Sequence, residues 1–396
     1  MSILAEKIGP IKVIICVEND IGYANQLELL TLLKKSSKFY VRTTSPHGKN
    51  LKLESGGFYN KLYINPIVAR LIPWNYVIST DKQEIWFYWN YLGITIAHGS
   101  AIASGHKKGD YDVPYEIKTS TAAKINIVCI GGPGVYKYIK NNHEHLVKKK
   151  DKLLVVTGIP KLKQLKNINS KKTPLLEDLG LDIKRQTILV SSHWTEMSIL
   201  RDFGVSIVDF LLDTFPDLNI IITAHPKLWG IEDLDFNGDN LKNELLKYNS
   251  LLPNFKFVQT GNPYELMETS NFMLCDHSSI RVEYSLLSKP AGLYRNHDFI
   301  CESQEIDNLY RTSSSVFSNL FELIEVVNQL KSTDYPGVQK NKALRDFFFE
   351  DSENAAKKIH DIMLSLGKVT STKNEEWSRL KKLLEKKDGN YNLKQE

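Results

Sequence analysis

NFMLCDHSSIRVEYSLLSKPAGLYRN, residues 271–296, decides the fold of this chain. FMLC is a short apolar run that stops at four polar residues, Asp276, His277, Ser278 and Ser279. RVEYSLLSK (281–289) then has helical spacing, and AGLYRN (291–296) is apolar again after Pro290. A buried strand, a helix and another strand in so short a span belong to a parallel sheet. The polar residues at the strand end admit two readings: they cap the helix, or they hold something anionic at its start. An ordinary serine cap accounts for one of the two serines. It does not account for Glu283, one turn in and on the same side as Ser279.

Similar units extend in both directions. QTILVSSHW (186–194), LNIIITAHP (218–226) and FKFVQTG (255–261) read as strands, and residues 197–216 as a helix in two pieces around Gly204. NPYELMETS (262–270) reads as a short helix with Asn262 as cap and Pro263 at its first position. AGLYRN is expected to be the last strand, with residues 317–331 and 342–367 helical. Earlier in the chain, IKVIICVEN (11–19), KFYVRTT (38–44), YVIST (76–80), EIWFYW (84–89), GITIAHG (93–99), NIVCIGG (126–132) and KLLVVTGIP (152–160) are strand-like. ANQLELLTLLKK (24–35) and the stretch after GGPG (131–134) are helical. The expectation is an α/β protein with two parallel-sheet domains, residues 1–180 and 181–335. Helices and a polar tail follow over 336–396.

The composition, 42% hydrophobic and 24% charged over 396 residues, fits two globular domains. Four scattered cysteines without CxxC spacing suggest buried thiols in a reducing compartment. MSILAEKIGP is too short and polar to read as a signal peptide, and no window approaches a transmembrane span, so a cytoplasmic location is expected. The net charge of +5 is mild, but lysines cluster at 137–152, 161–172 and 379–387. These clusters are either solvated faces or a contact with an anionic polymer or membrane surface. The segment 376–387 is accordingly a packing helix or a basic helix lying on a membrane. Aromatic residues are not interleaved with the basic ones, so nucleic acid is not an expected partner.

Three polar motifs follow apolar runs, where open α/β sheets bind their ligands. In AHGSAIASGHKKGD (97–110), His98 has the side chain best suited to take a hydroxyl proton near neutral pH, and Gly99 and Ser100 begin a loop of small residues. In TAHPKLWG (223–230), His225 either caps backbone groups or donates to a phosphoryl oxygen. The third motif is Asp276–Ser279. Competing signals are weak: GGPG lacks the spacing of a dinucleotide turn or a P-loop, and there is no HExxH or GxSxG. No metal or other cofactor is expected.

HGS at 98–100, HP at 225–226, and DHSS followed by Glu283 and LLSKP (286–290) together resemble the CDP-glycerol glycerophosphotransferase family, which builds teichoic-acid-like and capsular polymers. The resemblance covers roughly residues 93–295. It implies a GT-B-like fold, two Rossmann-like parallel-sheet domains facing a cleft, with C-terminal helices. It also implies transfer of a polyol phosphate from a CDP-linked donor to a glycan, polymer or lipid-linked acceptor, peripheral to the inner face of the membrane. By the same resemblance His98 is the general base and His225 supports departure of CMP. Ser278 and Ser279 hold phosphate, Glu283 lies near the nucleotide, and Asp276, His277 and Arg281 complete the donor side. Gly99 and Ser100 belong to the acceptor side. The chain departs from the family pattern in three places. Ser100 stands for a threonine, His277 stands for a tyrosine, and the cation usually found before HP is missing, leaving Lys227 or Arg281 to supply it. The donor therefore also admits a nucleotide sugar, feeding a capsule or lipooligosaccharide glycosyltransferase or an epimerase. A polyanion-binding protein without catalysis is a further alternative.

Overall fold

The computed structural model describes residues 9–17, 20–45, 61–80, 90–96, 125–167, 172–233, 236–260, 263–301, 303–332, 335, 337–350 and 352–391. The chain forms two compact units. The first comprises Met1–Ile102, Val113–Lys163 and Asp346–Glu396; the second comprises Ala103–Asp112 and Gln164–Arg345.

The first unit is built on six parallel strands: β1 (Ile11–Cys16), β2 (Phe39–Thr44), β3 (Tyr76–Ser79), β4 (Leu92–Ile96), β5 (Ile125–Ile130) and β6 (Leu153–Val156). Their order is β2-β1-β3-β4-β5-β6. Runs such as IKVIIC and INIVCI are apolar except at Lys12 and Asn126, each the second residue of its strand, because helices cover both faces of a parallel sheet. The strand expected at 84–89 lies outside the described residues.

The C-terminal helices complete this first core. Ile359, Ile362, Met363 and Leu366 of Ala355–Leu366, and Trp377, Leu380 and Leu384 of Glu375–Lys386, are buried with the strands of the sheet. Trp377 Nε1 donates to the Lys150 carbonyl at 3.0 Å, and Lys381 Nζ donates to the carbonyls of Lys149 and Lys152 at 2.9 Å each. The segment 376–387 is thus a packing helix, and it joins two of the three lysine clusters.

GGPG also has a structural use. Its glycines admit the backbone of the segment that opens this C-terminal region. A Cβ on Gly132 would lie 2.3 Å from the Phe348 carbonyl carbon and 2.4 Å from the Phe349 nitrogen. Glu350 N donates to Gly131 O at 2.7 Å across the same crossing.

The second unit contains β7 (Thr187–Ser192), β8 (Asn219–Ala224), a small hairpin of β9 (Glu232–Asp233) and β10 (Phe236–Asn237), then β11 (Phe255–Phe257), β12 (Phe272–Cys275), β13 (Ala291–Tyr294) and β14 (Ser315–Phe317). The main sheet runs β11-β8-β7-β12-β13-β14, all parallel. Taken in chain order this is the 3-2-1-4-5-6 arrangement of a Rossmann sheet.

Local chemistry explains where sequence and structure differ. The helix expected from residue 317 begins at Leu320, because Asn319 caps it by accepting from the Phe321 and Glu322 nitrogens at 3.0 Å each. Phe317 instead ends β14, so AGLYRN is not the last strand. Pro263 occupies the cap position of Tyr264–Thr269 rather than its first turn, and Asn262 lies outside the described residues. The helix over 197–216 is broken where expected, at Gly204, whose φ of +56° favours glycine.

Asn319→Ala is expected to destabilise the second unit by about 1 kcal/mol in urea unfolding. Glu322 reinforces the same helix end by accepting from Ser318 N and Oγ, which holds its carboxyl below the usual range. That reinforcement is present above the ordinary glutamate range and fades as pH falls through the depressed value.

Candidate functional site

In a 3-2-1-4-5-6 sheet the chain first builds outward from strand 1 on one side, then returns to build on the other. The loops leaving the two strands at this reversal diverge and open a crevice for ligands. Here the reversal lies between β7 and β12. Ser192 and His193 leave one strand and Asp276 and His277 leave the other.

Asp276 ties these two loops together. It is fully buried, and its carboxylate accepts from Ser192 Oγ (3.1 Å), His193 N (2.9 Å), Ile199 N (3.1 Å) and Ser278 N (3.1 Å). Burial raises its pKa, while the charge of His193 and the backbone donors act in the opposite direction. With four donors directed at it, Asp276 fixes the position of its neighbours, including the backbone of His193.

Three histidines gather on this frame. The His193 ring lies 4.9 Å from His277 and 5.8 Å from His225, centroid to centroid. His225 follows β8, and its Nδ1 accepts from Lys227 N at 3.2 Å, capping the turn Pro226–Gly230. Capping is one of the two readings the sequence leaves open for His225, and this hydrogen bond leaves the neutral ring with its proton on Nε2. Thr195 Oγ1 lies between the other two rings, 2.8 Å from His193 Nδ1 and 2.6 Å from His277 Nε2. His277 is buried, with Phe299 stacked on it at 5.2 Å.

The positive charges divide between surface and interior. Lys227 Nζ sits 5.3 Å from the Trp194 ring, whose own centroid is 6.4 Å from His225, so one of the two expected cations is beside the cluster. The other, Arg281, is turned inward. It is fully buried and donates to Ser314 Oγ (2.8 Å), Asn341 Oδ1 (2.8 Å) and Ser313 O. A cation not anticipated from sequence, Arg295, follows β13. Its guanidinium lies 4.4 Å from Phe299 and pairs with Asp307 at 3.2 Å.

The remaining expected residues are placed as follows. Ser279 precedes the helix Ile280–Tyr284 but makes no side-chain cap bond. An ordinary serine cap therefore does not account for it. Glu283 is buried near Tyr264, whose phenol is raised chiefly by burial and then by the charge of Glu283. The helix spacing expected to align it with Ser279 places it against that phenol. His98, Gly99 and Ser100 lie outside the described residues; β4, which leads to them, ends at Ile96. Cys275 and Cys129 are buried thiols raised to about 12, which removes them as nucleophiles near neutral pH. Among the described residues no group of three His, Cys, Asp or Glu is placed to hold a metal ion.

His193, Thr195 and Arg295 were not singled out from the sequence. Yet SSHW ends an apolar strand just as TAHP does, so the rule that selects His225 also selects His193.

The wall teichoic acid polymerase TagF is 13% identical to this chain and superposes with a TM-score of 0.61, covering 91% of this chain and 89% of the TagF chain. This is a GT-B-like fold. The UDP-GlcNAc 2-epimerase from Neisseria meningitidis, solved bound to UDP-GlcNAc, shares the fold at 14% identity and a TM-score of 0.60, over 89% and 100% of the two chains. A further UDP-N-acetylglucosamine 2-epimerase matches at 13% identity and 0.58, over 90% and 96%. No family model and no curated protein sequence matches the chain. No described helix is long and apolar enough to cross a membrane.

Proposed function

We propose that this GT-B-like protein is a transferase acting on a CDP-linked donor. It would move glycerol phosphate or ribitol phosphate to a hydroxyl of a glycan, polymer or lipid-linked acceptor and release CMP. The observation that carries this reading is the meeting of His193, His225, His277 and Ser278–Ser279 at the reversal point of the second sheet. Neutral imidazole N–H groups and serine hydroxyls suit phosphoryl oxygens. The donor side falls within residues 181–335 and the acceptor side, with His98, Gly99 and Ser100, within 1–180.

In the reaction, the acceptor oxygen attacks the β-phosphorus and the bond from that phosphorus to the oxygen of CMP breaks. His98 takes the hydroxyl proton. His225, holding its proton on Nε2, donates a hydrogen bond to the pyrophosphate as charge moves to the leaving CMP. The exposed lysines of the joined clusters, among them Lys148 and Lys150, would meet an anionic membrane face on the cytoplasmic side.

Calorimetric titration with CDP, CMP, UDP and GDP tests the reading. CDP is expected to bind preferentially, and Ser278→Ala and His225→Ala should each weaken it about tenfold, the value of one hydrogen bond to a charged group. The likeness to UDP-GlcNAc 2-epimerases supports a second reading, a nucleotide-sugar enzyme, which a preference for UDP would favour. Failure of all four nucleotides to bind would overturn both readings in favour of a polyanion-binding protein.

A further inference from the structure

His193 has a hydrogen-bond environment that determines which of its nitrogens carries the proton. The Thr195 backbone N–H points at Nδ1, with a nitrogen-to-nitrogen distance of 3.3 Å. A proton on Nδ1 would face that N–H directly, so Nδ1 is an acceptor. The Thr195 hydroxyl, 2.8 Å from the same atom, must then donate its single proton to it. With that proton committed, the hydroxyl oxygen can only accept from His277 Nε2, 2.6 Å away. The chain of donors runs one way, from His277 through Thr195 to His193. The reverse direction would set two N–H groups against each other at Nδ1.

We propose that Thr195 is a positioning residue that locks His193 in the Nε2–H tautomer, so that His193 becomes a second imidazole donor, beside His225, to the phosphoryl oxygens of a nucleoside diphosphate. The ligand part of this inference rests on the nucleotide-linked reading of the site; the tautomer part does not. Two features on neighbouring strands support it. His225 is set in the same tautomer by a different amide, Lys227 N, and the two rings are 5.8 Å apart. The backbone of His193 is held separately, by Asp276, so Thr195 acts on the ring alone. A lone imidazole in water exchanges its proton between the two nitrogens and rotates. Fixing both removes that freedom before the ligand arrives, and preorganised donors stabilise phosphoryl charge better than mobile ones.

The test is long-range nitrogen–proton NMR on protein labelled with 15N-histidine, in the absence of nucleotide, with His193→Asn used to assign the signals. At neutral pH His193 is expected as the Nε2–H tautomer in the wild type and in Thr195→Ser. Thr195→Val, which loses the hydroxyl but keeps the backbone N–H, should remain Nε2–H, whereas Thr195→Pro, which loses both donors to Nδ1, should show a mixture of tautomers. In parallel, CDP affinity should fall about tenfold in Thr195→Pro and stay within about threefold of wild type in Thr195→Val and Thr195→Ser, the span expected of one lost charge-assisted hydrogen bond. A His193 carrying its proton on Nδ1 in the wild type or in Thr195→Val, or an Nε2–H population unchanged by Thr195→Pro, would overturn the lock. If the tautomer shifts as expected but CDP does not bind even the wild type, the lock stands and the nucleotide role is refuted.

Discussion

Asp276→Ala is expected to lower the stability of the second unit by about 3–4 kcal/mol, because it leaves three backbone N–H groups and the Ser192 hydroxyl without their shared acceptor. Ser192 ends β7, His193 and Ser278 lie in the loops after β7 and β12, and Ile199 opens the helix that follows the first of these loops. The loss therefore extends from stability to the site, where His193 and Ser278 lose the contacts that hold their backbones. Urea unfolding followed by tryptophan fluorescence would measure it, since Trp194 and Trp229 report on this unit and Trp74 and Trp377 on the other.

Asp276→Asn separates charge from shape. Burial raises the Asp276 carboxyl in the folded state, so the folded protein holds that proton more firmly than the unfolded chain does. The associated stability is fully present below the ordinary aspartate value and is lost as pH rises through the raised one. The stability of the wild type relative to Asp276→Asn should accordingly fall as pH rises across that window. A pH-independent difference between the two would show that Asp276 does not titrate there.

Gly132→Ala is the second large effect, and it strikes the first unit. The new methyl would lie 2.3 Å from the Phe348 carbonyl carbon and 2.6 Å from the Phe347 oxygen. These are backbone atoms, so no side chain can rotate away and the crossing segment itself has to shift. Overpacking of this kind costs about 1–3 kcal/mol and sometimes more. The C-terminal helices, which supply Trp377 and Leu380 to the core, follow directly after that segment. Limited proteolysis should cleave the Gly132→Ala variant between residues 346 and 391 at a concentration of protease that leaves the wild type intact. Equal resistance would mean that the segment adapts to the methyl without loosening.

The distinction between these two sites shows how far a linear reading reaches. GGPG and DHSS both follow apolar strands, and both are compatible with an anion at a helix start. The first admits the backbone of Phe347–Phe349. The second frames a cluster that includes His193, whose partners Thr195 and His277 are 82 positions apart. Glu283 and Arg281 sit at helical spacings that suggest a shared face with Ser279 or a nearby charge. Their surroundings, Tyr264 for one and Ser313, Ser314 and Asn341 for the other, come from segments that no local pattern connects to them.

The sequence by itself determined the alternation of strands and helices, the parallel character of both sheets, and the strand ends where polar chemistry sits. Those features are local: a β-branched apolar run buried on both faces is legible in five or six residues, and so is the polar residue that ends it. Only the tertiary structure decided which strand ends meet. The order β11-β8-β7-β12-β13-β14 places residues 192 and 276 side by side, and the return of the chain brings Trp377 and Leu380 into the core of the first sheet. Strand order is set by crossover packing and burial summed over the whole unit, so it leaves no mark in the short stretches that it joins.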